Sequence, residues 1–332
     1  MKAAILNKYN KNGCDLVLKD IPIPEISNRE VLVKIHTAGV NPLDNMIMRG
    51  EVKVIVPYKL PQVLGNEFVG TIEKIGAEVR RFSVGDRVYG RMPLGKIGAF
   101  AEYAAVDQSA IAKVPEYLSD EEAACVPLTA LTALQAFELM EPKAGETIFI
   151  SGGTGSLGAM AIPIAKSYGL TVITNGSAAN RDRVLALGAD RFIDYKTEDY
   201  GEVVSDVDYV LDTLGDRELP KEFGILKRGG RLVTLRGMPN GEFAARSGMS
   251  AIKRILFKVA GRKYDQMAAK KNQSYHFIFV HEDGAGLERI SEIFAEHHIE
   301  ASVDEVFSLF EVNKALSKVA AGRSKGKTII RI

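Results

Sequence analysis

The stretch Ile148-Phe149-Ile150-Ser151-Gly152-Gly153-Thr154-Gly155-Ser156-Leu157-Gly158-Ala159 decides the fold. A short apolar run, Thr147 to Ile150, reads as a strand, and Ser156 to Tyr168 reads as a helix. Between them Gly153, Gly155 and Gly158 have the Gly-x-Gly-x-x-Gly spacing. In this strand–turn–helix frame the pattern predicts a dinucleotide loop. The first glycine permits a tight turn, the second lets backbone approach a pyrophosphate, and the third lets helix and strand pack closely. The helix N-terminus adds free N–H groups and a positive dipole end for the phosphates.

Working outward, strand and helix alternate. Leu170 to Ile173, Arg191 to Asp194, Val207 to Leu211, Arg231 to Leu235 and Tyr275 to Val280 read as strands, and Arg181 to Leu187 as a helix stopped by Gly188. Such alternation predicts an α/β domain, a doubly wound parallel sheet. The first ~120 residues read differently. Val31 to Ile35, Phe68 to Ile75 and Arg87 to Gly90 are short β-branched runs separated by Gly and Pro, the pattern of a compact β-barrel-like domain. Ser119-Asp120-Glu121-Glu122 forms a capping box before an Ala-rich helix. Strands near Val303 to Phe307 and Lys327 to Ile330 are expected to return the C-terminus to the first domain. The expected division is therefore 1–122 with 299–332, and 123–298.

The next question is which dinucleotide. An NAD site carries a carboxylate about 20 residues beyond the glycines for the ribose hydroxyl. Here Val172-Ile173 runs into Thr174-Asn175-Gly176-Ser177-Ala178-Ala179-Asn180-Arg181, with no carboxylate before Asp182. Asn175, Ser177 and Asn180 offer small hydrogen-bonding groups, and Arg181 a positive charge for a 2′-phosphate. NADPH is the expected cofactor.

Composition narrows the rest. The chain has 332 residues with 43 Lys plus Arg against 42 Asp plus Glu, a net +1 that gives no field for nucleic acid. Two cysteines, Cys14 and Cys125, are too few for a disulfide scaffold and fit a reducing, cytoplasmic setting. The N-terminus lacks a secretory apolar run, and no uncharged apolar window of membrane-spanning length is read. His36, His276, His281, His297 and His298 show no ligand spacing. Segment 246–271 reads as a basic amphipathic helix, with Ile252, Ile255, Leu256 and Val259 in one stripe. A lid or packed surface element is expected there, and a membrane partner is not.

The chain resembles the medium-chain dehydrogenase/reductases, in their zinc-independent quinone oxidoreductase and enone reductase branch. The likeness rests on Ala38-Gly39-Val40-Asn41-Pro42-Leu43-Asp44, Gly65-Asn66-Glu67-Phe68-Val69-Gly70, Gly85-Asp86-Arg87-Val88-Tyr89-Gly90, Ala99-Phe100-Ala101-Glu102-Tyr103 and Leu131-Thr132-Ala133. It continues through the glycine loop, Leu187-Gly188-Ala189-Asp190, Ile193-Asp194-Tyr195 and Gly326-Lys327. The resemblance implies a GroES-like β-barrel catalytic domain, a Rossmann domain and a homodimer. It implies Thr132 near the nicotinamide, Tyr195 and Arg323 near the 2′-phosphate, and the turn at Leu235 close to the nicotinamide. In zinc-binding relatives Asn41 and Asn66 would be Cys and His, and a third Cys falls near Leu128. Asn and Leu do not ligate zinc. Many relatives carry Tyr or Lys where this chain has Met46.

These residues point to NADPH-dependent hydride transfer to quinones or α,β-unsaturated carbonyls, where hydrogen-bond donors hold the developing charge. The expected donor is the Asn41 amide, seconded by Asn66 or Tyr58. An enoyl-thioester reductase and a non-catalytic NADPH-binding sensor or structural protein are the alternatives. The cofactor contacts expected are Thr132, Gly153, Thr154, Gly155, Ser156, Leu157, Gly158, Asn175, Ser177, Asn180, Arg181, Tyr195, Leu235 and Arg323.

Overall fold

The computed structural model describes residues 1–322 and 325–332, so Arg323 lies outside the described residues. The chain divides into two compact units, Met1–Leu131 with His281–Ile332, and Thr132–Val280. The expected boundary at 298/299 falls later than this second crossing, because the helix Gly284–His297 packs on the first unit. There Gly284 lies so close to the backbone that a Cβ would meet the Ile111 carbonyl oxygen at 2.5 Å, and the Tyr89 hydroxyl bonds the Leu287 carbonyl at 3.2 Å.

In the first unit β1 (Lys2–Leu6), β2 (Val17–Asp20), β3 (Glu30–Val40), β4 (Gln62–Val63), β5 (Glu67–Ile75), β6 (Arg87–Arg91), β7 (Tyr103–Asp107) and β8 (Ile111–Lys113) are antiparallel neighbours in two sheets. The second unit holds β9 (Thr147–Ile150), β10 (Thr171–Gly176), β11 (Arg191–Asp194), β12 (Val207–Asp212), β13 (Leu226–Thr234) and β14 (Ser274–Phe277). The chain then returns with β15 (Val303–Ser308) and β16 (Lys327–Arg331), and β16 pairs with β3, as Ile329 opposite Gly39 shows. That pairing joins the two ends of the chain in one barrel-like sheet. The capping box forms as expected: the Ser119 hydroxyl accepts from the Glu122 N–H at 3.2 Å and the Glu122 carboxylate accepts from the Ser119 N–H at 2.8 Å.

The second unit's sheet has the order β11-β10-β9-β12-β13-β14, all parallel. The order reverses between β9 and β12, so a crevice opens at the carboxyl ends of those strands, where α/β sheets bind ligands. Branched and aromatic side chains of these strands, among them Phe149, Ile193, Val210 and Leu232, form the apolar layer under the helices. β13 starts earlier than expected, at Leu226, because Gly229 and Gly230 are absorbed as an irregularity in its pairing with β12.

One apolar stretch needs a physical reading. Asp120–Met140 is long and apolar enough to cross a bilayer, which the sequence reading did not identify, but 83% of its most apolar window is buried inside the protein. It is a core element.

Candidate functional site

The glycine loop sits at the end of β9. Its left-handed residue is Gly152, at φ +70°, one position before the triplet. Gly153 is needed for another reason: a Cβ there would lie 2.0 Å from the Thr174 hydroxyl oxygen on β10. At Gly158 a Cβ would lie 2.3 Å from the Gly153 Cα, so the helix Ser156–Ser167 can approach the loop only without a side chain. Gly155 differs. It is exposed, caps that helix, and a Cβ on it would meet nothing nearer than the Gly152 carbonyl oxygen at 3.4 Å. Two glycines thus close the loop on the sheet and the middle one leaves open space before the helix N-terminus, with Ser156 and Leu157 in its first turn. That space and those N–H groups fit a diphosphate.

Neighbouring strands hold the loop in place. The Asn175 side chain accepts from the Gly152 N–H at 2.7 Å and its backbone carbonyl accepts from Gly153 at 3.1 Å, so Asn175 shapes the loop while also lining the cavity beside it. Arg183 donates to the Thr154 carbonyl at 2.7 Å. At the end of β12 the buried Asp212 carboxylate accepts from the Leu214 and Gly215 N–H groups at 2.8 Å and from the Thr234 hydroxyl at 2.5 Å. Thr234 in turn accepts from the Arg236 and Gly237 N–H groups, which fixes the turn that carries Leu235.

A cavity of about 680 Å³ lies over this end of the sheet, lined by Gly152, Thr154, Gly176, Tyr195, Lys196 and Lys221 among others. Tyr195 is exposed and lines this cavity. Ser177 and Asn180 are half-buried beyond β10, and Arg181 is exposed and does not line the cavity. The cation that does, and that forms no ion pair among the described residues, is Lys196; Lys221 is paired with Asp199 at 2.8 Å. Lys196 adjoins Tyr195 in sequence, and only the position of β11 reveals it. Thr132 is buried in the helix Pro127–Met140.

In the first unit the resemblance-implied ligand positions hold a closed polar network. The Asn41 amide donates to the Glu67 carboxylate at 2.8 Å and to the Gly39 carbonyl at 3.4 Å, and its oxygen accepts from the Lys327 ammonium at 2.6 Å. Lys327 and Glu67 pair at 2.5 Å with almost no exposure, and the second Glu67 oxygen accepts from the Leu128 N–H at 2.7 Å. Both N–H groups of the Asn41 side chain are thus committed, and the expected oxyanion donor role has no hydrogen left to perform it. Asn41 also starts the helix Pro42–Arg49, its backbone N–H donating to Asp44 at 2.7 Å. Asn66 donates to the other Asp44 oxygen at 2.7 Å, and its own oxygen is buried without a partner among the described residues. Burial pushes the Asp44 carboxyl up to about 7.

Zinc does not fit this donor set. Two amides and an apolar residue stand at the ligand positions, and a lysine ammonium is bonded to the two best oxygens. Among the described residues no group of three or more His, Cys, Asp and Glu could hold a metal ion. The sequence alone assigns Lys327 no role; it opens the strand Lys-Thr-Ile-Ile-Arg, whose first four residues are buried.

Two further side chains in this unit are chemically available. Tyr58 is mostly buried and burial pushes its hydroxyl up to about 12, so it stays protonated at neutral pH. Arg91 is fully buried; it donates to the Met92 carbonyl, while its Nε and second terminal nitrogen have no partner among the described residues. Its positive charge acts on Tyr58 and pulls against that upward shift. Arg91 ends β6 and Lys327 opens β16, so each is a buried cation at the end of a strand.

Residues 27–116 match the alcohol dehydrogenase GroES-like domain and residues 187–330 the zinc-binding dehydrogenase family. The chain is 32% identical over 269 residues to the NADPH-dependent alkenal/one oxidoreductase, chloroplastic, of Arabidopsis thaliana, covering 77% of this chain and 68% of the relative. It is 28% identical to the NAD(P)H oxidoreductase RTN4IP1, mitochondrial, of Danio rerio, over 100% of this chain and 91% of that one. The solved quinone oxidoreductase from Coxiella burnetii superposes with a TM-score of 0.83 at 27% identity, covering 100% of this chain and 99% of that structure. With the glycine loop at the sheet's switch point and a GroES-like unit built from both chain ends, the chain belongs to the medium-chain dehydrogenase/reductase superfamily, among its quinone and enone oxidoreductases.

Proposed function

We propose that the protein is an NADPH-dependent reductase of quinones or α,β-unsaturated carbonyls that works without zinc. The observation that carries this is the open space at Gly155 between two sterically obligatory glycines, set at the switch point of the parallel sheet. The names of relatives, an alkenal/one oxidoreductase and a quinone oxidoreductase, support the substrate class. Bound reduced nicotinamide supplies the hydride. The chain's own residues supply binding and charge stabilisation. Gly153 to Gly158 and the helix N-terminus hold the diphosphate. Lys196 and Tyr195 face the 2′-phosphate, and the absence of a carboxylate at the end of β10 favours it over the free hydroxyl.

The oxyanion role passes from Asn41 to Tyr58. Its protonated hydroxyl donates to the carbonyl oxygen as charge develops, and the Arg91 charge that acts on it adds positive potential. Asn41, Asn66 and Asp44 then act as the frame. A homodimer through the edge strand β14 and a reducing compartment, cytoplasmic in the sequence expectation, complete the proposal; both cysteines are free thiols.

The test is steady-state oxidation of NADPH and of NADH with 9,10-phenanthrenequinone and with a short 2-alkenal. Turnover of either acceptor with preference for NADPH supports the proposal. Tight NADPH binding with neither acceptor turned over would favour the non-catalytic sensor instead.

A further inference from the structure

The helix Ala251–Ala269 turns its aliphatic stripe away from the protein. Its inner face is Phe257, Gly261, Tyr264 and Ala268, all buried. Phe257 meets Phe243 edge to face at 6.1 Å, and Tyr264 stacks on Tyr275 at 5.2 Å and donates to Asp216 at 2.8 Å. At about 100° per residue, positions 252, 255, 256 and 259 fall on the opposite side. Ile252 is 81% exposed, Ile255 65%, Leu256 52% and Val259 69%. Sequence alone suggested a packed element; the helix is packed, but through another face.

Charge gathers on the same segment. Residues 246–271 carry eight Lys or Arg and one carboxylate, Asp265, a formal +7 in a chain whose total is +1. Lys258 and Arg262 flank the stripe and form no ion pair among the described residues. Asp265 is engaged on the inner side, accepting from Asn240 at 2.7 Å.

We infer that this face docks on an anionic lipid surface. Exposed aliphatic residues insert at the headgroup boundary while cations beside them meet lipid phosphates and carboxylates. The side chains suit a bilayer better than a protein: the stripe has no aromatic residue, and lysines, which protein interfaces avoid, surround it. A second copy would set +7 against +7. The stripe runs over about two turns, 252–259, of a helix whose inner face stays packed, so it can meet a membrane side-on.

The test uses the full chain with phosphatidylcholine vesicles, pure or with about 30 mol% phosphatidylserine, in co-sedimentation at about 0.15 M salt. Pelleting is expected with the anionic vesicles only, and Ile255→Glu/Leu256→Glu is expected to lose about ten-fold or more of the bound fraction. Lys258→Glu/Arg262→Glu loses it as well, with thermal unfolding midpoints unchanged in both variants because all four side chains are exposed. Three results would overturn the assignment: no pelleting with anionic vesicles, equal pelleting of wild type and variants, or a wild-type dimer in sedimentation velocity that the variants dissociate.

Discussion

The glycine loop and the Asn41–Glu67–Lys327 network are built in opposite ways. The loop works through missing side chains: any Cβ at Gly153 or Gly158 collides with neighbouring atoms, and Gly155 keeps a space clear. The network works through side chains that fill their space completely, with an ion pair of almost no exposure and an amide whose donors are all used. The loop therefore has chemical capacity to spare for a ligand, while the network has none and serves as frame. A buried donor without a partner among the described residues, such as the Arg91 Nε, carries more functional information than an amide whose hydrogens are all bonded.

Breaking the frame is expected to have the largest effect. Lys327→Met leaves the Glu67 carboxylate buried and unpaired, which costs roughly 3–5 kcal/mol. Urea denaturation should show it, and adding Glu67→Gln should recover part of the loss. If Lys327→Met were as stable as wild type, the closed network would not be a structural frame.

Breaking the loop should instead cost binding and spare stability. Gly155→Val is expected to weaken NADPH binding by about 100-fold with little change in unfolding, since its Cβ meets open space but occupies the diphosphate position. Gly153→Val should destabilise the second unit outright, because of the Thr174 hydroxyl at 2.0 Å. Equal losses of stability in the two variants would erase the distinction between them.

The frame also titrates. The Asp44 carboxyl, raised to about 7 by burial, holds its proton in the folded chain where the unfolded chain has lost it. Its contribution is greatest below pH ~4 and is lost as pH rises through about 7, worth roughly 2 kcal/mol between pH 5 and 8. Asp44→Asn should flatten that decline in denaturation midpoints, since the Asn66 amide can turn its unpartnered oxygen toward the new N–H. A decline of wild-type size in the variant would remove Asp44 as its source.

Smaller effects sharpen the functional side. Tyr58→Phe is expected to lower kcat about ten-fold with the KM for NADPH unchanged. Lys196→Ala should reduce the preference for NADPH over NADH several-fold, leaving kcat with saturating NADPH near wild type.

How much of this was legible in sequence follows the same division. The loop could be read from residue types alone, because steric demands act between close neighbours in the chain and on the adjacent strand. The alternation of strand and helix, the capping box at Ser119 and the return of the C-terminus to the first domain are likewise visible as local patterns. The network could not be read, since Asn41 and Lys327 meet only when β16 pairs with β3. Asn41 therefore looked free to bind an oxyanion when Glu67 and Lys327 already hold it. Arg181 stands out in sequence because it follows β10, but sequence distance from the glycines does not show that Lys196 is the cation that reaches the cavity. The stripe at 252–259 was seen correctly as a stripe, but its direction depends on which aromatic side chains of the same helix find partners.

The most direct test of the central claim is calorimetric titration of the full-length chain with NADPH and NADH. A single saturable site per chain, tighter for NADPH and lost in Gly155→Val, is the predicted result. No heat with either nucleotide would contradict it.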